Sequence, residues 1–220
     1  MTMVRAIVFD GDDTLWHTER LYDDAGLRFT DILFGFVISQ VFLRLQNWGE
    51  LSGYVRWQLA LSTVLVLGSW IGFRHSVNRS AYKLKFFNLP LLRFALDQAM
   101  VILYFRVATL TPRDPAVPVD PAALVDKTFD ALLIIAALYF LWDLAGMIMG
   151  LSPKYANSGI DGWAIAITTG FLALAAVLWH LGAETDVDAH DARVLLASAV
   201  ALLLAYRWAK EIRTTLKKPA

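Results

Sequence analysis

The stretch Arg74–Arg93 carries Arg74, His75, Arg79, Lys83, Lys85 and Arg93 with no acidic residue, and it lies between two long apolar runs. A cationic link between membrane-length runs is held in the cytoplasm. The runs on either side, Trp57–Phe73 and Leu89–Leu110, then cross in opposite directions, and the other spans follow by alternation. Those are Phe29–Trp48, Phe129–Leu151, Trp163–Leu181 and Val194–Trp208. Each is close to the ~20 residues that cross ~30 Å of hydrocarbon, where the backbone must satisfy itself, so each is expected to be helical. Residues are 57% hydrophobic and 18% charged, against about 45–50% and about 25% in soluble domains. A soluble bundle would need polar faces at helical period, and the last three runs have none. The expected fold is therefore an all-α membrane protein, a six-span transmembrane bundle over residues 28–220.

The loops test the orientation. The tail carries Arg207, Lys210, Arg213, Lys217 and Lys218, whereas Thr111–Thr128 is acidic on balance and Gly182–Arg193 holds Glu184, Asp186, Asp188 and Asp191. The connection after the fourth span, with Lys154 and Asp161, says little. Six crossings put both termini in the cytoplasm, and a bacterial inner membrane suits such a chain. Trp48, Trp57, Trp163, Trp179 and Trp208 stand at span ends as interfacial anchors. No secretory signal is expected at residues 1–27, since Ala6–Phe9 is too short for an h-region. The formal net charge is zero, which gives no case for nucleic acid, and without cysteine there is neither a disulfide nor a thiolate metal site. The expected partners are the lipid bilayer and, because so small a bundle could need company to line a pore, further copies of the chain.

Residues 1–27 differ in character and form a separate cytoplasmic segment. Val4–Phe9 reads as a short buried strand and Asp10-Gly11-Asp12-Asp13-Thr14 as the turn leaving it. The run Ile7-Val8-Phe9-Asp10-Gly11-Asp12-Asp13-Thr14-Leu15-Trp16 resembles the first motif of the haloacid dehalogenase (HAD) superfamily of phosphohydrolases, a hydrophobic strand followed by Asp-x-Asp-x-Thr. That resemblance implies Asp10 as a nucleophile forming an aspartyl-phosphate and Asp12 as general acid/base. Both would sit near a Mg²⁺, which hard oxygen ligands suit. It covers only residues 5–20. The family also needs a Ser or Thr, a Lys and a further acidic pair from later strands of one sheet, and this chain enters the membrane near Phe29. The expectation is a HAD-like strand-turn fragment, fused or relict, and not a complete enzyme.

Charges inside spans carry the most information, because each costs about 2.5–3.5 kcal/mol at mid-membrane on insertion scales. Asp31, Arg74, Arg93, Asp97 and Asp143 all fall in the cytoplasmic half, so a network is expected there, with Asp143 pairing with Arg93 or Arg74. It would be either an ion or proton site or a neutralising lock between helices. Gly68–Gly72 and Gly146–Gly150 are Gly-x-x-x-Gly pairs at the same depth and are expected to let helix backbones approach. Gln40 and Arg44 lie one turn apart, with Arg44 expected to snorkel outward. His180, Glu184, Asp186, Asp188 and His190 make an acidic outer loop whose spacing fits no recognised metal site. Asn78-Arg79-Ser80 is a formal glycosylation sequon on the cytoplasmic side. Prolines 112, 115, 118 and 121 favour a polyproline II strut. Phe29-Thr30-Asp31 and Phe129-Asp130 open two spans alike, too short a match to establish inverted halves.

The potassium-filter sequence Thr-Val-Gly-Tyr-Gly is absent from the sequence. Arg28-Phe29-Thr30-Asp31, with a second span ending in Trp70 and His75, is similar to the six-helix potassium channels of lysosomes and prokaryotes, which lack that filter. There Ser stands where this chain has Thr30, and the Arg is set further back. Transport of an ion or small solute is the leading expectation. A membrane-tethered HAD-like Mg-dependent phosphohydrolase fragment and a non-catalytic scaffold or partner-binding subunit are the alternatives.

Overall fold

A computed structural model of the chain describes residues 11–79, 89–151, 161–184 and 187–216. Six α-helices make up those residues, with no strand among them: α1 Gly11–Leu45, α2 Gly53–Arg79, α3 Leu89–Ala108, α4 Pro121–Gly150, α5 Gly162–Glu184 and α6 Ala189–Leu216. A single 3₁₀ turn, Trp48–Glu50, joins α1 to α2. Each apolar run of the sequence falls within one helix or ends within a few residues of it. Three of them, over Pro121–Gly150, Gly162–Ala183 and Ala189–Arg213, are long and apolar enough to cross a membrane. The three earlier helices are diluted by Gln40, Arg44, Arg74, Arg93, Asp97 and Arg106.

The expected strand Val4–Phe9 and the acid Asp10 lie outside the described residues. Gly11–Thr14, expected as a turn, instead opens α1, which runs unbroken through residues 27 and 28. Pro112–Pro121 is also not a uniform strut. Asp114 accepts from the backbone N–H of Val117 at 3.2 Å and, through its carboxylate, from that of Ala116 at 2.9 Å. Pro115 thus sits at the second position of a β-turn, where its fixed φ is favoured.

Each of the last three helices starts on an aspartate. Asp120 accepts from Ala122 and Ala123 N–H ahead of α4, with Pro121 at the first helical position. Asp161 accepts from Ala164 N–H ahead of α5. Asp188 accepts from His190 and Asp191 N–H at 2.7 and 2.8 Å ahead of α6. These carboxylates satisfy donors that a helix cannot satisfy itself and lie at its positive end.

Helices α2, α3, α4 and α6 pack pairwise in sequence, α2 on α3, α3 on α4, α4 on α6 and α6 on α2, so they close a ring. Outside it, α1 lies against α2 and α3, and α5 against α4 and α6. Leu59, Leu61, Leu65, Leu132, Ile135, Leu196 and Leu203 fill the interior. The outer surface is apolar as well, with Phe29, Ile32, Phe36, Ile71, Ile102, Ile134, Leu174, Val177 and Leu204 all exposed. Inside, by contrast, Gln58, Ser62, Ser69, Arg93, Asp97, Asp143 and Thr168 are buried. Apolar residues facing out and polar ones facing in is the arrangement that lipid favours and water does not.

The closest seam in the ring is cut by glycine. A Cβ on Gly53 of α2 would meet the Arg193 guanidinium of α6 at 2.7 Å, and one on Gly68 would meet Arg207 Nε at 3.2 Å. The steps Gly53 to Gly68 and Arg193 to Arg207 are nearly equal, so α2 and α6 run parallel with two arginines seated in two notches. Gly68–Gly72 therefore admits an arginine side chain rather than a helix backbone. On α4, Gly146 is buried and Gly150 half-buried.

Candidate functional site

Each helix of the ring sends one polar side chain to a common point. Arg207 of α6 donates from Nη2 to Ser69 Oγ of α2 at 2.5 Å and to the Tyr139 hydroxyl of α4 at 2.7 Å. Ser69 and Tyr139 share a hydrogen bond at 2.6 Å, and the Tyr104 hydroxyl of α3 joins Tyr139 at 2.9 Å. The donors start from different levels and still meet, because helical side chains lean toward their own N-terminus. Tyr104 and Arg207 sit on helices of opposite direction, so they lean toward each other. Tyr206 stacks on Phe171 at 4.4 Å and on Tyr139 at 5.6 Å, and the Arg207 guanidinium lies over both tyrosine rings at 5.2 and 5.6 Å.

One turn further along lies Asp143, 2% exposed. Its Oδ2 accepts from the Lys210 ammonium and from the Thr168 hydroxyl, and Thr168 also reaches the Ala164 carbonyl at 2.9 Å. Beyond it Arg213 pairs with Asp161 at 2.9 Å. The ladder Arg207, Lys210, Arg213 thus runs along one stripe of α6 at i, i+3 and i+6, meeting hydroxyls, then Asp143, then Asp161.

The five charges singled out from the sequence lie at that same end of the bundle but do not form one network. Asp31 pairs with Arg74 at 3.0 Å on the surface, where Trp70 Nε1 also donates to it at 3.2 Å. Arg93 and Asp97 are buried on α3, and the Arg93 guanidinium stacks 3.8 Å over Trp142. Asp143 pairs with neither Arg93 nor Arg74: Lys210 takes it, and Arg74 is taken by Asp31. Depth alone could not choose among cations, and Lys210 reads in the sequence as part of a solvated tail. Ser69, Tyr104, Tyr139 and Thr168 carry no charge, so a search for buried charge passes over them.

At the other end, Arg44 does not snorkel. It is buried, and it donates from Nε to the Thr111 carbonyl at 2.7 Å and from Nη1 to the Gln40 carbonyl at 2.9 Å. It ties the end of α1 to the loop after α3. Among the described residues no three His, Cys, Asp or Glu side chains are placed to hold a metal. Asp188 is taken up by its capping bonds, and the backbone N–H groups of Asp191 and then His190 hold its carboxyl below the ordinary 3.8. Asp10 lies outside the described residues, as do the side chains of Asp12 and Glu184 and the whole of Asp186. A cleft between α1 and α2, lined by Ile38, Val41, Phe42, Leu45, Thr63, Val66 and Leu67, measures about 10 Å³ and is apolar. It offers a solute nothing to hold.

No protein-family model matches the chain, and comparison with curated proteins and with solved structures returns no match.

Proposed function

We propose that the protein is a multi-pass membrane protein that moves an ion or small solute through its four-helix ring. All six helices cross, and both termini and the ladder of cations lie at the cytoplasmic side. The observation that carries this reading is Asp143, a carboxylate sealed in a span-length apolar helix and ion-paired to a second span. Ionisable groups at such depth are expensive, and they mark ion or substrate pathways in membrane proteins. The hydroxyl knot one turn away closes the ring, so this conformation is shut and passage requires Arg207 to leave Tyr139.

The test is flux in liposomes holding the purified chain, with panels of cations and anions on either side. Asp143→Asn is expected to abolish the flux while the protein elutes as before on size exclusion. Flux unchanged in Asp143→Asn, with a lowered unfolding midpoint, would make the ion pair a structural lock. The HAD-like reading calls for metal-dependent phosphatase turnover that disappears when residues 1–27 are removed.

A further inference from the structure

The cations of α6 form a graded series. Arg207, Lys210 and Arg213 recur at every third residue, and each meets a different acceptor: the hydroxyls of Ser69 and Tyr139, then Asp143, then Asp161. On α4, which runs the same way as α6, Tyr139 and Asp143 stand one turn apart, so the acceptors are spaced much as the cations are. Three cations thus share two carboxylates, and among the described residues no carboxylate pairs with Arg207. All three lie in Ala189–Arg213, a stretch long and apolar enough to cross a membrane. Charges at such depth are expensive, and a row of them on one helix is what an electric field across the membrane acts upon.

A screw of α6 by three residues, ~4.5 Å along its axis toward its C-terminus with about 60° of rotation, maps its buried stripe onto itself. Leu196 takes the place of Ala199, Val200 that of Leu203 and Leu203 that of Tyr206, all of them buried. Arg207 takes the place of Lys210 beside Asp143, and Lys210 that of Arg213 beside Asp161. Arg213 passes beyond the end of the bundle into water. Both carboxylates are paired before and after, so the two positions lie close in energy, as the states of a switch must. The guanidinium of Arg207 packs tightly against Gly68 and Gly72 of α2, where added Cβ atoms would meet Nε at 3.2 Å and Nη1 at 3.1 Å. Gly72 is one turn nearer the C-terminal end than Gly68, so no Cβ bars the arginine at either level. Arg193, exposed at the other end of α6, has a stem long enough to keep its head at the surface through the step.

We propose that α6 is a voltage sensor: the membrane potential acts on Arg207, Lys210 and Arg213 and drives the helix one rung along Asp143 and Asp161. The inference rests on the reading that α6 crosses the membrane with its basic end in the cytoplasm. An inside-negative potential pulls the cations inward, and that step breaks the bonds from Arg207 to Ser69 and Tyr139 that close the ring. Depolarisation returns the helix to the position described above, with the ring shut. Three charges moved ~4.5 Å across ~30 Å of hydrocarbon carry about half an elementary charge through the field. The ratio of the two positions then changes about fivefold per 100 mV.

The experiment is fluorometry under voltage clamp on cells expressing the full chain with Ala189→Cys, labelled from outside with an impermeant maleimide dye. It needs no transported solute. Dye emission is expected to follow the clamped potential with a steepness of about fivefold per 100 mV. Arg207→Gln, which leaves two charges to move, is expected to lower that steepness to about threefold, and Arg207→Lys to restore it. Arg213→Gln, at the watery end of the ladder, gives the same reading if Arg207→Gln does not reach the cell surface. The same dye on Ala116→Cys, in the turn after α3, is expected to hold its emission at every potential. Emission at residue 189 that ignores the potential would overturn the sensor, and so would a steepness unaltered in both glutamine variants. The transport reading is judged apart, on Asp143-dependent flux: flux without the voltage signal sinks only the sensor, and the signal without flux sinks only transport.

Discussion

Asp143 and Lys210 differ from the surface pair Asp31–Arg74 in what their loss leaves behind. The Asp143 side chain is 2% exposed and that of Lys210 23%, so removing one strands the other's charge in a low-dielectric interior. Asp143→Ala is expected to cost about 3–5 kcal/mol, and the double variant Asp143→Leu with Lys210→Met should recover most of it. Unfolding of the purified chain by denaturing detergent measures both, and a double variant no better than the single would show that the pair contributes in its own right. Asp31→Asn on the surface is expected to cost about 0–1 kcal/mol. Only part of this was legible in the residues. A charge search finds Asp143 and its burial, because an apolar run with one carboxylate has nowhere else to put it. Its partner is fixed by the rotation of α6 about its own axis, which also brings Tyr139 and Ser69 to Arg207, and no local pattern records that rotation.

Helix boundaries were more accessible than helix faces. Hydrophobic length fixes where a span can lie, and the apolar runs place all six helices to within a few residues except where polar residues extend them, as at the starts of α1, α4 and α6 and the finishes of α2 and α6. The aspartate caps extend the start of α4 and mark those of α5 and α6, and each stands just ahead of a long apolar stretch. Asp120→Ala is expected to lower stability by about 1 kcal/mol, read as a shift in unfolding midpoint, with the change in amide exchange concentrated in the first turn of α4. Asp188 gives a pH dependence of known sign. Its folded carboxyl titrates below the ordinary 3.8 because two backbone N–H groups favour the charged form. Its contribution is therefore complete above that unfolded value and is lost as pH falls through the lower folded value. The difference in midpoint between the unaltered chain and Asp188→Asn should hold steady at neutral pH and shrink in acid. A difference that grows with acidification would refute the cap as the cause. The Gly68–Gly72 pair shows the reverse limit: the sequence exposes the missing side chains, but not that an arginine from a distant helix fills the space.

At the scale of the bundle, the order of packing speaks to both repeat and topology. An exchange of the first three helices with the last three would carry α2 on α6 into α5 on α3, and α3 on α4 into α6 on α1. Neither is among the well-packed pairs, so the likeness of Phe29-Thr30-Asp31 to Phe129-Asp130 has no counterpart in a two-fold arrangement. The contacts do order the ends. Asp31 with Arg74 sets the middle of α1 beside the finish of α2, and Asp161 with Arg213 sets the start of α5 beside the finish of α6. Asn47 with the Arg113 carbonyl, and Tyr54 with that of Val119, gather the opposite ends of α1, α2 and α3. Neighbours in sequence therefore alternate in direction, as successive crossings must. The basic end faces the cytoplasm if the excess of Lys and Arg there sets orientation. The chain has no cysteine of its own, so single cysteines report without background. Ala116→Cys, in the exposed turn after α3, and Ala189→Cys, at the start of α6, are expected to react with an impermeant maleimide on intact cells. Leu151→Cys, exposed at the finish of α4, is expected to react only after the membrane is opened. Equal labelling of residues 116 and 151 from one side would remove the alternation, and with it the placing of Asp143, Lys210 and Arg207 on a path between two compartments.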